Sequence, residues 1–513
     1  MLFNSYVFLL AFLPVTMAGF FVFGRRSQLL GAAWLAAASL LFYGWWDVRY
    51  LPLLLASASF NFACAARLRG GAAHQRKRML AAAVAANLAL LGYYKYAGFF
   101  VASVGAATGH AWPPLDIVLP IGISFFTFTQ IAYLADTCQG KVAQGRFVHY
   151  LLFVSYFPHL IAGPVLHHKE MMPQFADRRT VQISAQNLAV GATIFGIGLA
   201  KKVLIADNIG PYSAPLFNHA NAPSLLLAWG GVLAYAFQLY FDFSGYSDMA
   251  IGLSRLFGVR LPLNFDSPYK ARNIVEFWRR WHMTLSRFLR DYLYVPLGGN
   301  RRGPARRYLN LMTAMVLGGL WHGAGWNFMI WGFLHGLYLC INHVWARWAP
   351  VLRVPAQALW VRMAGVALTF VSVCAAWVFF RAPDVGSALA ILRGMAGENG
   401  IALPDAVLSH LPMQALLGRA GVVDYLGGGA AFIATWGWIA AAAGLAFLCP
   451  NTQEITHRFA PALDFDAGAA HARSLPRALA WRPSRAWAFT LGLLVLASLL
   501  SLTRPAEFLY FQF

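Results

Sequence analysis

The chain has 513 residues, of which 59% are hydrophobic and 12% are charged. Soluble globular proteins carry about 25% charged residues, so the composition excludes a soluble globular protein and indicates a polytopic membrane protein. The formal net charge of +21 would suggest a nucleic-acid partner in a soluble chain. In a membrane protein, Lys and Arg accumulate in short cytoplasmic loops, so no nucleic-acid partner is predicted.

Apolar runs in the N-terminal part of the chain predict a first group of membrane spans, at about 1–23, 28–46, 51–66, 79–104 and 117–135. The first run lacks the positively charged start of a secretory signal peptide, so it is interpreted as a span. The loop at 67–78 carries five Lys and Arg residues, whereas the loop at 105–114 carries none. The sequence therefore predicts a cytoplasmic loop at 67–78 and a periplasmic N-terminus.

The segment 148–166 is long enough to span a membrane, but it contains Pro158 and Pro164. Proline interrupts helices, and irregular backbone at membrane depth is tolerated only where it lines a cavity or is buried in protein. We therefore expect a re-entrant element here.

Two carboxylates, Asp242 and Asp248, lie in an apolar run at about 224–258. Carboxylates in such surroundings suggest a proton relay or acid–base chemistry. The alternative is structural: with Gly245 they mark a helix break and cap its backbone groups, or they pair with arginines of the next segment. The sequence favours the structural interpretation.

The stretch from Glu276 to Gly336 carries two histidines of particular interest. In its first half, the 3.6-residue period predicts an amphipathic helix in which Trp278 and His282 share the apolar stripe. A histidine in a hydrocarbon layer is costly and is by default a functional candidate.

The second half of this stretch is a long apolar run, from about 309 to 343, in which four glycines surround His322. Small residues allow other helices or a substrate to approach the backbone. Trp326 lies four residues further on, so it is predicted to share the helical face of His322 and to form one wall of a pocket. We expect His282 and His322 to face a common cavity.

Structural interpretations are preferred for several other residues. Four histidines are interpreted as interfacial or hydrogen-bonded: His159, His167, His168 and His335. The five cysteines stand singly, without the spacing of a zinc site or a disulfide, and no metal is predicted. Basic residues near the histidine stretch either hold the phosphates of an anionic donor such as coenzyme A or form positive-inside loops: Lys270, Arg272, Arg301, Arg302, Arg306 and Arg307.

Further apolar runs at about 362–380, 430–448 and 487–503 predict the last spans. The connector 382–427 is weakly charged and predicted outside, and the connector 451–485 is basic and predicted inside. No soluble enzymatic domain is visible in the sequence.

The sequence contains no P-loop, no G-x-S-x-G, no HExxH and no G-x-G-x-x-G in a strand–helix context, which disfavours ATP-driven transport, serine hydrolysis and zinc proteolysis. Two classes of function remain. In an acyltransferase, a neutral imidazole takes a proton from a hydroxyl that attacks a thioester, and nearby donors stabilise the oxyanion. In a transporter or flippase, buried histidines bind or relay protons.

Several segments resemble the signature of the membrane-bound O-acyltransferase family, in its bacterial branch that includes alginate O-acetyltransferase. They are FWRRWH (Phe277 to His282), GLWHGAGW (Gly319 to Trp326), LPIGISFFTF (Leu119 to Phe128), YFPHLIAGPVLHHKEMMPQF (Tyr156 to Phe175), YFDFSGYSDMAIGL (Tyr240 to Leu253) and FLYFQF (Phe508 to Phe513).

This resemblance implies an all-α polytopic membrane protein, a bundle of roughly 10–12 transmembrane helices with re-entrant and interfacial helices around a central cavity. The whole chain would be one domain, with N-terminal spans (1–147), a catalytic core (148–346) and C-terminal spans (347–513). By the resemblance, His322 is the central catalytic histidine and His282 a second active-site position. Supporting or substrate-binding positions are Trp278, Arg279, Trp281, Trp326, Asp242 and Asp248.

The resemblance further implies that the chain transfers acetyl groups from a cytoplasmic thioester, such as acetyl-CoA, for O-acetylation of an exopolysaccharide outside the cytoplasmic membrane. No permanently bound cofactor is expected. A periplasmic SGNH-type acetyltransferase is the expected protein partner. The alternatives are D-alanyl transfer toward teichoic acid and a non-enzymatic polysaccharide or lipid exporter.

Overall fold

The structure of the chain is a computed structural model. It describes residues 1–110, 112–142, 145–161, 163–219, 222–352, 355, 357–404, 423–425, 428–463, 465, 479–502 and 509. Several predicted features lie partly outside the described residues. They are the loop 105–114, the segment 148–166, the connectors 382–427 and 451–485, the span 487–503 and the segment 508–513, of which only Leu509 is described.

Helices account for most of the described chain. They are α1 Leu13–Arg26, α2 Gln28–Gly44, α3 Leu51–Leu68, α4 Ala73–Leu91, α5 Ala97–Thr108, α6 Ile123–Cys138, α7 Phe147–Ser155, α8 Phe157–Leu160, α9 His168–Ala176, α10 Ala185–Ala200, α11 Asp207–Ile209, α12 Ala214–His219, α13 Leu225–Leu256, α14 Ile274–Trp278, α15 Met283–Leu289, α16 Gly303–His322, α17 Trp326–Trp348, α18 Leu359–Arg381, α19 Val385–Ala396, α20 Gly428–Leu448, α21 Thr452–Ile455 and α22 Arg485–Leu500. Strands β1 Ala402–Leu403 and β2 Val423–Asp424 form a two-residue parallel pair.

Two compact units are built from segments that alternate along the chain, whereas the three stretches predicted from the sequence are consecutive. Unit 1 consists of Met1–Leu199, Tyr246–Leu263 and Thr452–Pro505. Unit 2 consists of Ala200–Gly245, Asn264–Asn451 and Ala506–Phe513.

Unit 1 packs its N-terminal helices through aromatic rings and small residues. The rings of Phe12 and Phe157 lie 5.3 Å apart and nearly perpendicular, a favourable arrangement for aromatic pairs. Where α1 meets α2, a Cβ on Gly31 would lie 3.1 Å from the Cα of Gly24, so glycine permits the close approach of these helices.

The segment 148–166 is not a single membrane-spanning helix. It forms α7 and the four-residue α8, which are separated at Tyr156. The nine residues of α7 extend about 14 Å, whereas a span needs about 30 Å. The side chain of His159 supplies a hydrogen bond to the backbone of this turn: its Nε2–H donates to the carbonyl oxygen of Phe153 at 3.1 Å.

The basic loop predicted at 67–78 is shorter in the structure. Helix α3 ends at Leu68 and α4 begins at Ala73. Arg76, Lys77 and Arg78 therefore lie on the first turns of α4 instead of in a loop. The apolar run alone placed the start of this helix too late, because charged residues extend it beyond the hydrophobic segment.

Helix α13 runs without interruption for 32 residues, through both predicted carboxylates. The predicted break at Gly245 is wrong. The side chains of Asp242 and Asp248 reach partners on other segments, so they have no need to cap backbone groups of their own helix.

Six of the described helical segments are long and apolar enough to cross a membrane: Phe8–Arg26, Val48–Leu68, Ala185–Tyr212, Leu225–Leu256, Leu359–Arg381 and Gly428–Leu448. Three shorter helices are also apolar: α2, α19 and α22. The predicted class, an all-α multi-pass membrane protein, is confirmed.

Candidate active site

The backbone around His282 differs from the predicted amphipathic helix. Helix α14 ends at Trp278 and α15 begins at Met283, with His282 between them at φ +43° and ψ +51°. The single helical stripe through Trp278 and His282 is therefore wrong. Non-glycine residues rarely adopt this left-handed conformation, and it persists where the surrounding structure over-determines it, often at functional sites.

His322 is the last residue of α16. The next residue, Gly323, is extended (φ −157°, ψ 149°) and ends the helix, and α17 starts at Trp326. The apolar run predicted as continuous from 309 to 343 is therefore two helices. The cause is the glycine-rich turn, which lacks the side chains that would favour helical backbone.

Close crossing of α16 and α17 holds His322 in place. A Cβ on Gly319 would overlap the carbonyl oxygen of Phe328, and a Cβ on Gly332 would overlap the carbonyl oxygen of Met315. Only glycine allows the two backbones to approach this closely. The predicted role of glycines as close-contact residues therefore applies to helix packing around His322.

The structure brings the imidazoles of His282 and His322 together. Their ring centroids lie 6.2 Å apart, with an angle of 61° between the ring planes. His282 is fully buried and His322 is 7% exposed. Both residues belong to unit 2. Aromatic rings contact one or both imidazoles: Phe243, Phe265, Trp321, Trp331 and Phe380.

Asn264 fixes the tautomer of His282. Its Oδ1 accepts from the backbone N–H of Thr284 at 3.4 Å and from the Thr284 hydroxyl at 2.8 Å. A backbone N–H is always a donor, so this atom is the amide oxygen. His282 Nδ1, 3.1 Å away, must therefore donate to it. The Nε2 of the neutral ring then carries the lone pair, and it has no hydrogen-bond partner among the described residues.

Burial also sets the charge of His282, which lies outside the candidate membrane spans. Desolvation lowers the pKa of His282 to about 3, so the imidazole is neutral near pH 7. A neutral ring whose proton is held by Asn264 accepts a hydrogen bond at Nε2. A pKa this low makes the ring a weak base, so this state is suited to a hydrogen-bond acceptor.

Trp326 does not form the wall predicted for it. It begins α17, on the other side of the turn from His322, and is 57% exposed. Trp331 lies there instead, 1% exposed, with its ring centroid 5.1 Å from that of His322. The i+4 spacing failed because Gly323 to Gly325 interrupt the helix.

The three predicted positions on the signature segment lie in different surroundings. Trp281 is buried, with ring contacts to Phe265 and Trp377, both at 5.0 Å. Trp278 is buried against His335, at 5.1 Å between centroids. Arg279, by contrast, is exposed just after α14.

His335 was predicted to be interfacial or hydrogen-bonded, and this is wrong. Neither of its ring nitrogens has a hydrogen-bond partner among the described residues, and the residue is fully buried. Its ring centroid lies 4.7 Å from that of Trp331. His335 lies on α17, whereas His322 ends α16.

Asp242 belongs to a buried charge cluster in unit 2. Its Oδ1 lies 2.8 Å from the ammonium of Lys202, which also pairs with Asp207 at 2.6 Å. Its Oδ2 accepts from the backbone N–H of Leu509 at 3.2 Å. A buried charge with these partners is a structural link between segments distant in sequence, and its partner is a lysine instead of the arginine expected from the sequence.

Asp248, in unit 1, accepts two side-chain hydrogen bonds. The Thr452 hydroxyl donates at 2.5 Å and the Gln453 amide at 2.7 Å. These contacts hold α21 against α13. The hydrogen bonds of Asp248 thus join segments that are distant in sequence, as the contacts of Asp242 do, in keeping with the structural interpretation.

Two of the basic residues considered for binding the phosphates of an acyl donor already have partners within the protein. The ammonium of Lys270 donates to the carbonyl oxygen of Cys449 at 2.7 Å, and Arg272 pairs with Glu276 at 3.1 Å. Arg301, Arg302 and Arg306 are exposed. Of this basic set, the exposed arginines remain the better candidates for an anionic ligand.

Sequence reasoning missed Asn264, Thr284 and Trp331. Asn264 lies eighteen residues before His282, beyond any helical or strand period that links two positions. A polar residue in the apolar LPLNF segment was the one available signal. Trp331 follows the glycine turn, and only the helix break reveals its position.

A sequence model of the membrane-bound O-acyltransferase family matches residues 125–360, which include both histidines. The peptidoglycan O-acetyltransferase of Helicobacter pylori is 44% identical over 79% of this chain and 81% of its own length. The probable alginate O-acetylase of Azotobacter vinelandii is 42% identical over 81% of this chain and 83% of its own.

The chain belongs to the membrane-bound O-acyltransferase family. It is an O-acyltransferase embedded in a membrane. The teichoic acid D-alanyltransferase of Bacillus subtilis is a more distant relative, 27% identical over 52% of this chain and 70% of its own length.

Proposed function

We propose that this O-acyltransferase transfers acetyl groups from a cytoplasmic thioester for the O-acetylation of a polysaccharide outside the cytoplasmic membrane. The observation that carries the proposal is the pair of buried imidazoles. It is supported by relatives at 40–44% identity that are named O-acetylases or O-acetyltransferases. Acetyl-CoA is the proposed donor. D-alanyl transfer is the second candidate, favoured only by the more distant relatives.

In the proposed mechanism, His322 is the general base. It takes the proton of an acceptor hydroxyl while the hydroxyl oxygen attacks the thioester carbonyl carbon. When the tetrahedral intermediate collapses, the C–S bond breaks, and the protonated His322 gives its proton to the leaving thiolate. The ester and the thiol are the products, and the imidazole returns to its neutral form.

His282 accepts a hydrogen bond in this mechanism. A role as oxyanion donor does not fit its neutral tautomer, because its proton is held by Asn264. Its Nε2 lone pair is available to a second hydroxyl of the acceptor, which orients the reacting hydroxyl toward His322. This orientation supports the reaction through positioning, since misaligned reactants lose much of the rate enhancement.

Trp331 is the proposed donor to the oxyanion. Its indole N–H is buried, has no hydrogen-bond partner among the described residues, and belongs to a ring that contacts His322. An unpaired buried donor is costly, so it calls for an explanation such as a ligand. A preorganised N–H in a dry site is suited to stabilise negative charge on the thioester oxygen.

The proposed location is the bacterial inner membrane, with the N-terminus in the periplasm and the 67–78 segment in the cytoplasm. The cluster of cations in that segment supports this orientation. Labelling of a cysteine at position 73 from outside intact cells would contradict it. The proposed partner is a periplasmic SGNH-type acetyltransferase that completes the esterification.

The donor can be tested with membranes that contain the full chain and its polysaccharide system. Radiolabelled acetyl-CoA should label the polysaccharide, and a D-alanyl carrier-protein thioester should not. Membranes with the His322→Ala chain serve as the control. Labelling from the D-alanyl thioester alone would reverse the choice of donor.

A further inference from the structure

A cavity of about 830 Å³ lies in unit 1, where α1 ends and α2 begins. Four arginines line it: Arg25, Arg26, Arg146 and Arg178. All four are exposed, and no Asp or Glu is among the lining residues. Across the described residues, no carboxylate forms an ion pair with any of the four, although Arg179 pairs with its neighbour Asp177 at 2.7 Å.

Like charges around one cavity repel each other, and a bound anion relieves that repulsion. The first turn of α2 adds to the attraction. Ser27, Gln28 and Leu29 line the cavity, and the side chain of Ser27 does not cap the helix. The first backbone N–H groups of this 17-residue helix therefore remain available to an anion, which the helix dipole also favours.

His149 contributes shape and hydrogen bonding instead of charge. It is 8% exposed, and its Nε2 lies 3.3 Å from the Gln28 side-chain nitrogen, which donates to it. Burial, with the nearby Arg146, lowers the pKa of His149. The positive charge of the cavity therefore comes from the four guanidinium groups.

The cavity lies at the end of a candidate membrane span. The helical segment Phe8–Arg26 is long and apolar enough to cross a membrane, and it ends at two of the arginines. Its side chains Leu10, Val15 and Val22 are exposed, and Ile183 on the cavity lining is 55% exposed. Exposed apolar side chains thus lie both on the candidate span and on the lining of the cationic cavity.

We propose that this cavity binds a phosphate ester, held by the four arginines and the N-terminus of α2. The exposed apolar face of α1 favours an anionic phospholipid as the source, with its headgroup in the cavity and its acyl chains along the helix. Arginine suits this task because its planar group bonds phosphate oxygens in pairs. The cavity residues are separate from the acyltransferase histidines, so the inference does not depend on the proposed chemistry.

Lipid retention by the purified full chain tests the proposal. The protein is exchanged into nanodiscs of phosphatidylglycerol and phosphatidylcholine, and bound lipid is counted by native mass spectrometry after detergent release. The double variant Arg25→Gln/Arg26→Gln should retain phosphatidylglycerol roughly ten-fold less than the parent. The control Lys77→Gln/Arg78→Gln removes the same charge outside the cavity and should retain as much as the parent.

A second arm uses inorganic diphosphate and coenzyme A with the same variants. Binding of these soluble phosphates that is lost in the Arg25/Arg26 variant, without retention of phosphatidylglycerol, keeps the phosphate site and assigns it a soluble source. Arg178→Gln, outside the first span, repeats the measurement if the double variant changes membrane orientation. The proposal would be overturned if the parent, the cavity variants and the control all bound phosphatidylglycerol equally and all bound the soluble phosphates equally.

Discussion

His282 combines an uncommon backbone conformation with a fixed tautomer. Its left-handed φ excludes it from any regular helix, and Asn264 holds its Nδ1 proton. The sequence signature identified the residue, but the helical wheel placed it on the wrong structure. A positive φ at a histidine leaves no periodic signal, so the turn that presents His282 could not be predicted from the spacing.

Two substitutions of His282 should distinguish the effect of its backbone conformation from the effect of its imidazole. His282→Asn should keep normal protein abundance and part of the transfer activity, because asparagine tolerates the left-handed conformation and offers an amide near Asn264. His282→Ala should weaken transfer further, since it removes the nitrogen that accepts a hydrogen bond and leaves a residue with a side chain at the strained, left-handed φ. Activity is measured in membranes with matched protein levels. Equal activity of the Asn and Ala variants would contradict the positioning role.

Trp331 offers a second residue-scale prediction. Trp331→Phe removes the indole N–H and keeps an aromatic ring, so kcat should fall by about 10²-fold if the N–H stabilises the oxyanion. The smaller ring also leaves a cavity that lowers thermal stability, so kcat is compared at matched amounts of folded protein. Trp436→Phe is the control: its N–H is also buried and unpaired in the described structure, but it lies on α20. An unchanged kcat for Trp331→Phe would exclude this role.

Helices α16 and α17 position His322 through glycine contacts. The sequence indicated that the glycines allow close approach, but it merged the two helices into one apolar run. Hydropathy does not detect the turn at Gly323 to Gly325, because the turn is as apolar as its flanks. For the same reason, the apolar run 309–343 gave no sign that His335 lies on the helix after that of His322.

Gly332→Ala should disturb this crossing. Its new methyl group would overlap the carbonyl oxygen of Met315, a backbone atom that can move only with its helix. Overpacking of this kind costs about 1–3 kcal/mol, so the melting temperature and the transfer activity should both fall. Gly325→Ala is the matched control, because its Cβ would meet only the Phe328 ring at 3.5 Å. A stable, active Gly332→Ala protein would refute the packing argument.

At the scale of the whole molecule, composition and hydropathy were sufficient to predict a helical multi-pass membrane protein. The signature segments were sufficient to predict the family. Links between distant segments were beyond sequence reasoning: Lys202 with Asp242, and Thr452 with Asp248, join residues with no periodic relation. The two units likewise combine segments that are distant in sequence.

The acetyl content of the secreted polysaccharide, compared between wild type and His322→Ala at equal membrane abundance, tests the account most directly. Removal of a general base costs roughly 10²- to 10⁴-fold in rate, so acetylation should fall below detection. His335→Phe is the internal control, since it replaces a buried imidazole without hydrogen bonds by a ring of similar size, and it should retain acetylation. Wild-type acetylation by the His322→Ala protein would contradict the assignment of His322 as the base.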